Sequence, residues 1–196
     1  MKLVLASANP GKLRELVALL APLGHELIAQ SQLGIESPPE TGDTFEANAL
    51  IKARHAALHA GLPALADDSG IEVDALRGRP GVYSARYAGE GASDLANLGK
   101  MLEELEGVPA ERRTARYRCV IAMVRHADDP HPLLAAGRWE GRVLDAPRGA
   151  GGFGYDPVFQ PAGDHRSVAE IPSAEKNASS HRALALRELA SLLCRP

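Results

Sequence analysis

Asp67 and Asp68 are adjacent carboxylates at the end of the short apolar run Leu62 to Ala66, and Ser69 and Gly70 follow them. In an extended segment successive side chains point to opposite faces, so only one of the two carboxylates faces a given site. A carboxylate held there suits two tasks. It can take a proton from water, and it can bind Mg²⁺, which prefers one or two protein carboxylates plus water and phosphate oxygens. Glu40, on a loop braced by Pro38 and Pro39, is a second candidate ligand. An Asx-type turn would explain one Asp here but gives no reason for two.

Other segments carry groups suited to anions. In Ser7-Ala8-Asn9-Pro10-Gly11-Lys12, Asn9 and Pro10 are placed as cap and first helical residue, and a helix N-terminus favours an anion. Lys12 in that first turn opposes the helix dipole unless an anion sits nearby. The segment is not a Walker A loop, because Ala6 stands where the leading Gly belongs and Leu13 follows Lys12. An ordinary capped helix with a solvated lysine explains it equally well. Asn48 and Lys52 lie one helical turn apart beside Phe45, able to hold phosphate oxygens or simply to face solvent. Gly151-Gly152-Phe153-Gly154-Tyr155-Asp156-Pro157 joins backbone freedom to two aromatic rings, which suits a base as well as a turn between strands. Lys176, His181 and Arg182 cluster around a helix start.

These segments need a frame. The chain has 196 residues, enough for one domain (1–196), compact or two-lobed, with a substantial core. Apolar residues make up 45 % and aromatics 4 %, so Leu, Ala and Val must fill that core. A formal net charge of −3 with interspersed signs excludes a basic nucleic-acid stripe. Cys119, within an apolar run, reads as a buried thiol, and no Cys/His cluster has zinc spacing. The opening apolar run is too short for a signal peptide and no later run approaches membrane-spanning length, so a soluble, cytoplasmic protein without a membrane partner is expected.

Periodicity predicts strands at 2–6, 25–30 and 63–66, with 71–73 continuing extended, and helices at 10–20, 44–60 and 93–105. Asp43 and Glu46 have capping-box spacing at the second helix. A glycine-rich ordered loop covers 78–91. Residues 114–124 and 133–144 form a hairpin signature, 158–159 a short strand, and 179–193 a closing helix. This order implies an α/β fold with a mixed sheet flanked by helices.

Taken together, the motifs resemble the Ham1-like inosine triphosphate pyrophosphatases (XTP/dITP diphosphatases) over essentially the whole chain. The resemblance rests on Ser7 to Lys12 with Glu15, Thr41-Gly42 through Phe45, Asn48, Lys52 and Ala53, and Ala66 to Gly70. It continues with Gly81 to Tyr87, Gly152 to Asp156, and Lys176 with Ser180-His181-Arg182. Ser179 stands where an apolar residue is expected, and Ala8 where Gly or Asn is common. The resemblance implies an elongated fold, a cleft between two lobes, a homodimer, and Mg²⁺-dependent hydrolysis of ITP, dITP and XTP to monophosphate and pyrophosphate. It further implies that Ser7, Asn9, Lys12 and Lys52 bind the triphosphate, within a segment that includes Ala8, Pro10 and Gly11. Asp68 would be the catalytic base and a Mg²⁺ ligand, with Glu40 beside it. Ser69 would touch the substrate, and Phe153, Gly154, Tyr155, Asp156, Lys176, His181 and Arg182 would form the nucleoside pocket. Three other readings are weaker. A Maf-like nucleotide pyrophosphatase lacks the late Ser-His-Arg segment, a non-hydrolysing sensor needs no base, and a HAD-type phosphatase requires Asp-x-Asp spacing.

Overall fold

The apolar opening run forms strand β1 (Lys2–Leu5), which pairs in parallel with β2 (Glu26–Ala29) and with β3 (Ala64–Val73). Strands β4 (Thr114–Val124), β5 (Leu133–Val143) and β6 (Phe159–Pro161) complete one six-stranded sheet in the order β2-β1-β3-β4-β5-β6. Because β6 runs antiparallel to β5, the sheet is mixed, as expected from the sequence. The computed structural model describes residues 2–21 and 24–194. Among them, no helix is long and apolar enough to cross a membrane.

The helices are α1 (Pro10–Leu20), α2 (Phe45–Ala60), α3 (Asp94–Glu104), α4 (Ser173–Ser179) and α5 (His181–Leu193). Three local expectations are corrected. Asp67 to Gly70 lies inside β3, past the stretch paired with β1 (Ala64 and Leu65), rather than beyond its end: the strand continues through the turn-favouring Ser and Gly. The cap of α2 is Thr44, whose Oγ1 accepts from the Ala47 N–H at 3.1 Å, and not Asp43. The closing helix α5 begins at His181 and not Ser179, because Ser180 is extended, and an unexpected short helix, α4, precedes it.

The chain divides into two compact units, each with its own core. The first comprises 1–68, 119–137 and 182–196. In it Leu16 and Leu20 of α1 pack with Leu3, Leu5 and Leu65 of the sheet, and Ala185, Leu186 and Leu189 of α5 join the same cluster. Burying each of these leucines is worth about 1.5–3 kcal/mol. Cys119 is buried there, and burial pushes its thiol up to about 12, so it is an inert packing group. The second unit comprises 69–118 and 138–181. Its core joins Leu98 and Met101 of α3 to Ile71, Val73, Tyr117, Tyr155 and Phe159.

Candidate active site

In the first unit the alternation along β3 sends the paired carboxylates to different partners. Asp67 faces the Lys12 ammonium at 3.4 Å and the Arg182 guanidinium at 3.3 Å. Asp68 accepts from Lys52 Nζ at 2.9 Å and from Asn48 Nδ2 at 3.4 Å. Lys52 Nζ donates in addition to Glu40 Oε1 at 2.7 Å, so one ammonium ties two carboxylates together. Asp67, Asp68 and Lys52 are only 1 %, 4 % and 7 % exposed. Charges so buried persist only when paired, because an uncompensated one costs several kcal/mol.

The electrostatics follow from this enclosure. Burial holds the Asp68 carboxyl above the usual carboxylate range, with Lys52 and Lys12 pulling the other way. For Lys52, burial acts to lower the ammonium's pKa, yet the carboxylates of Asp68, Asp67 and Glu40 outweigh it and the net direction is up. A lysine that stays charged next to a carboxylate of raised basicity is what charge neutralisation and proton acceptance require.

Local structure fixes these side chains. Asn48 Oδ1 accepts from the Gly42 N–H at 2.8 Å, which clamps the loop before α2 onto the helix face. A Cβ at Gly42 would lie 2.7 Å from Ala47 Cβ and 2.8 Å from Asn48 Oδ1, so only glycine allows this approach. Asn9 Oδ1 accepts from the N–H groups of Gly11 and Lys12 at 2.8 and 3.0 Å, and Ser7 Oγ accepts from the Asn9 N–H at 3.3 Å. The first donors of α1 are therefore satisfied by its own cap. The cationic feature of this segment is the Lys12 side chain, and the anion it needs is Asp67. Ala8 and Pro10 are exposed, whereas Gly11 is buried.

The Arg182 guanidinium is buried with Asp67 and Glu15 within the first unit. Glu15 was legible only as a member of a motif and Asn48 by its helical spacing to Lys52; as partners of Arg182 and Asp68 they emerge from the fold.

In the second unit Asp156 organises the glycine loop. Its Oδ1 accepts from the Tyr117 hydroxyl at 3.1 Å, and its Oδ2 accepts from Lys176 Nζ at 2.7 Å and from the Phe153 N–H at 3.0 Å. Gly152 has φ +73°, and a Cβ there would meet Asp156 Oδ2 at 2.2 Å. Lys176 Nζ sits 4.8 Å from the centroid of the Phe153 ring, close enough for a cation–π contact. The Gly154 N–H donates to Asp94 at 2.7 Å, and the Tyr155 hydroxyl donates to the Ser84 carbonyl at 2.8 Å. His181 stacks on Tyr117 with centroids 4.6 Å apart and planes 11° from parallel, and Trp139 is 6.5 Å away. Ser69, half-buried in β3, is the first residue of this unit. No spacing signal marked Tyr117 or Trp139, which belong to apolar strand patterns until the fold brings them to His181.

Among the described residues, no group of three or more His, Cys, Asp or Glu side chains is arranged to hold a metal. Glu40 and Asp68, however, converge on one cation, the Lys52 ammonium, and two carboxylates are the complement that Mg²⁺ asks of a protein.

A profile of the Ham1 family matches residues 3–192. A dITP/XTP pyrophosphatase of Photobacterium profundum is 54 % identical over 192 residues, covering 98 % of both chains. One from Xanthomonas oryzae pv. oryzae is 58 % identical, covering 95 % of this chain and 94 % of its own. Among solved structures, a HAM1 protein from Coxiella burnetii superposes with a TM-score of 0.90 at 48 % identity, covering 98 % of both chains.

Proposed function

The chain belongs to the Ham1 family, and on that premise we propose that it hydrolyses the non-standard purine nucleoside triphosphates ITP, dITP and XTP. Water and the triphosphate give the nucleoside monophosphate and pyrophosphate, removing these nucleotides from the pool before they enter DNA or RNA. The observation that carries the reading is the buried cluster of Asp68, Glu40, Lys52, Lys12 and Asp67, which pairs a basic carboxylate with two cations.

Phosphoryl chemistry demands positioning and charge neutralisation above all. Asp68 takes the proton from the attacking water, and Asn48 holds its carboxylate in place. Lys12 and Lys52 neutralise phosphate oxygens as pyrophosphate leaves. Ser7 and Asn9 shape the turn that carries Lys12. Arg182 fixes Asp67, which in turn positions Lys12, so its part is indirect. Asp68 and Glu40 would hold Mg²⁺, which would supply charge neutralisation and orientation of water when bound.

In the second unit Phe153 offers a ring face to the base, while Lys176, His181 and the loop N–H groups supply donors. Inosine and xanthine carry a carbonyl at the six position where adenine carries an amine, so a donor there accepts the former and opposes the latter. A site built on such a hydrogen bond rejects the unmatched analogue by roughly 10⁴-fold. We place the protein in the cytoplasm as a homodimer acting on free nucleotides, with neither nucleic acid nor membrane as partner.

The test is turnover of ITP, XTP, GTP and ATP with and without Mg²⁺, with pyrophosphate and orthophosphate measured separately. Pyrophosphate from ITP and XTP, little from ATP or GTP and none without metal, is the expected result. Orthophosphate as the main product would overturn the cleavage site.

A further inference from the structure

The Lys52 ammonium lies 2.7 Å from Glu40 Oε1 and 2.9 Å from Asp68 Oδ1, on the very pair of carboxylates that suits a divalent cation. We infer that Lys52 is a built-in stand-in for the metal: it neutralises Glu40 and Asp68 while the site is empty of nucleotide and yields them when triphosphate and metal arrive together. The inference rests on the pyrophosphohydrolase reading for the identity of the anion, though not for the exchange of one cation for another.

Three observations support it. First, Asp68 is enclosed and Glu40 is partly so, and a buried carboxylate without a cation is costly, so some positive charge must accompany Asp68 at every stage. Second, the charge of the cluster is nearly balanced without metal. Among the described residues, Glu15, Glu40, Asp67 and Asp68 are joined by ion pairs to Lys12, Lys52 and Arg182, four carboxylates against three cations. Such a site has little net attraction for a divalent ion until a triphosphate adds its own negative charge. Third, lysine suits exchange better than arginine. Its ammonium is a compact point charge on a flexible stem, able to leave two carboxylates for phosphate oxygens without breaking a bidentate fork. The contrast within the cluster is informative: Asp67, which has no proposed contact with metal, is held by the rigid guanidinium of Arg182 in addition to Lys12, whereas Asp68 and Glu40 share the ammonium of Lys52.

The consequence is coupling. Metal and triphosphate each favour the displaced position of Lys52, so each strengthens binding of the other by the same factor. Without nucleotide, metal must compete with a tethered ammonium and binds weakly.

The experiment uses Mn²⁺ as a spectroscopically visible hard cation, titrated by electron paramagnetic resonance into the full-length, nucleotide-free protein and its Lys52→Met and Lys52→Gln variants. Loss of the ammonium is expected to tighten Mn²⁺ binding by roughly tenfold or more. Equal or weaker binding by the variants overturns the inference. Should neither variant fold, the unaltered protein still decides. Saturating Mn²⁺ is expected to raise the rate of amine acetylation at Lys52 several-fold, read by mass spectrometry, and an unchanged rate overturns it. Neither arm contains nucleotide. A protein that releases pyrophosphate from ITP yet fails both arms loses only the role of Lys52; one that passes them without turning over any purine loses only the proposed activity.

Discussion

A carboxyl group must be ionised to accept a proton, and burial favours its neutral form. Asp68 meets this conflict by standing next to a lysine that stays charged, so its carboxylate is retained while its proton affinity is raised. In the proposed role the base works in its deprotonated state, so a raised pKa should move the loss of activity at low pH upward. In the metal-free protein the Asp68 carboxyl should titrate above the ordinary 3.8, observable by carbon-13 nuclear magnetic resonance of the carboxyl carbons. Asp68→Asn removes the proton acceptor, and kcat for pyrophosphate release should fall by roughly 10³-fold; normal turnover by this variant would sink the base role. The two aspartates were legible as chemistry in the sequence, because adjacency on a strand implies opposite faces. Their division of labour was not. It depends on Arg182, 115 residues away from Asp67, whose placement no local pattern announces.

Helix α2 presents Asn48 and Lys52 from one face, so its stability sets the precision of the cluster. The Thr44 hydroxyl satisfies one of its first N–H groups, and Thr44→Ala should cost about 1 kcal/mol. For a chain of this length that lowers the melting temperature by roughly 2–4 °C, measurable by calorimetry. The same variant should raise KM for ITP with little change in kcat, because it loosens positioning rather than removing a reacting group. In the glycine loop, Gly152→Ala should be far more damaging, since its Cβ would collide with Asp156 at a positive φ. Base selectivity should collapse in that variant, seen as a reduced ratio of ITP to ATP turnover. Elements with strong periodicity were readable: the strand expected at 114–124 matches β4, and Ala-rich α2 differs by one residue. Helix α4 was not, because at seven residues it is too short to show a periodic apolar face. Tyr117 was hidden for the opposite reason, as an unexceptional member of a well-read strand.

At the scale of the molecule, the proposed homodimer predicts a solution mass of twice 20.7 kDa by light scattering coupled to size exclusion, and a mass of 20.7 kDa would remove it. The first unit is discontinuous in sequence, drawing on 1–68, 119–137 and 182–196, and its charged cluster is equally scattered. Glu15 and Asp67 come early in the chain, and the Arg182 guanidinium that pairs with both follows Glu15 by 167 residues. A ribosome makes the chain from its N-terminus, and domains tend to fold as they emerge. Here the order of synthesis and the order of assembly conflict: β1, α1 and β3, with the Lys12–Asp67 pair, leave the exit tunnel long before Arg182, the second counter-charge of Asp67, has been translated. The second unit, which ends at His181, is the one whose whole sequence exists before Arg182 is added. The ion pairs of Arg182 with Glu15 and Asp67 are therefore among the last contacts of the nascent chain to become possible, and a message truncated ahead of its final helix would yield a polypeptide that has all six strands and lacks those two pairs.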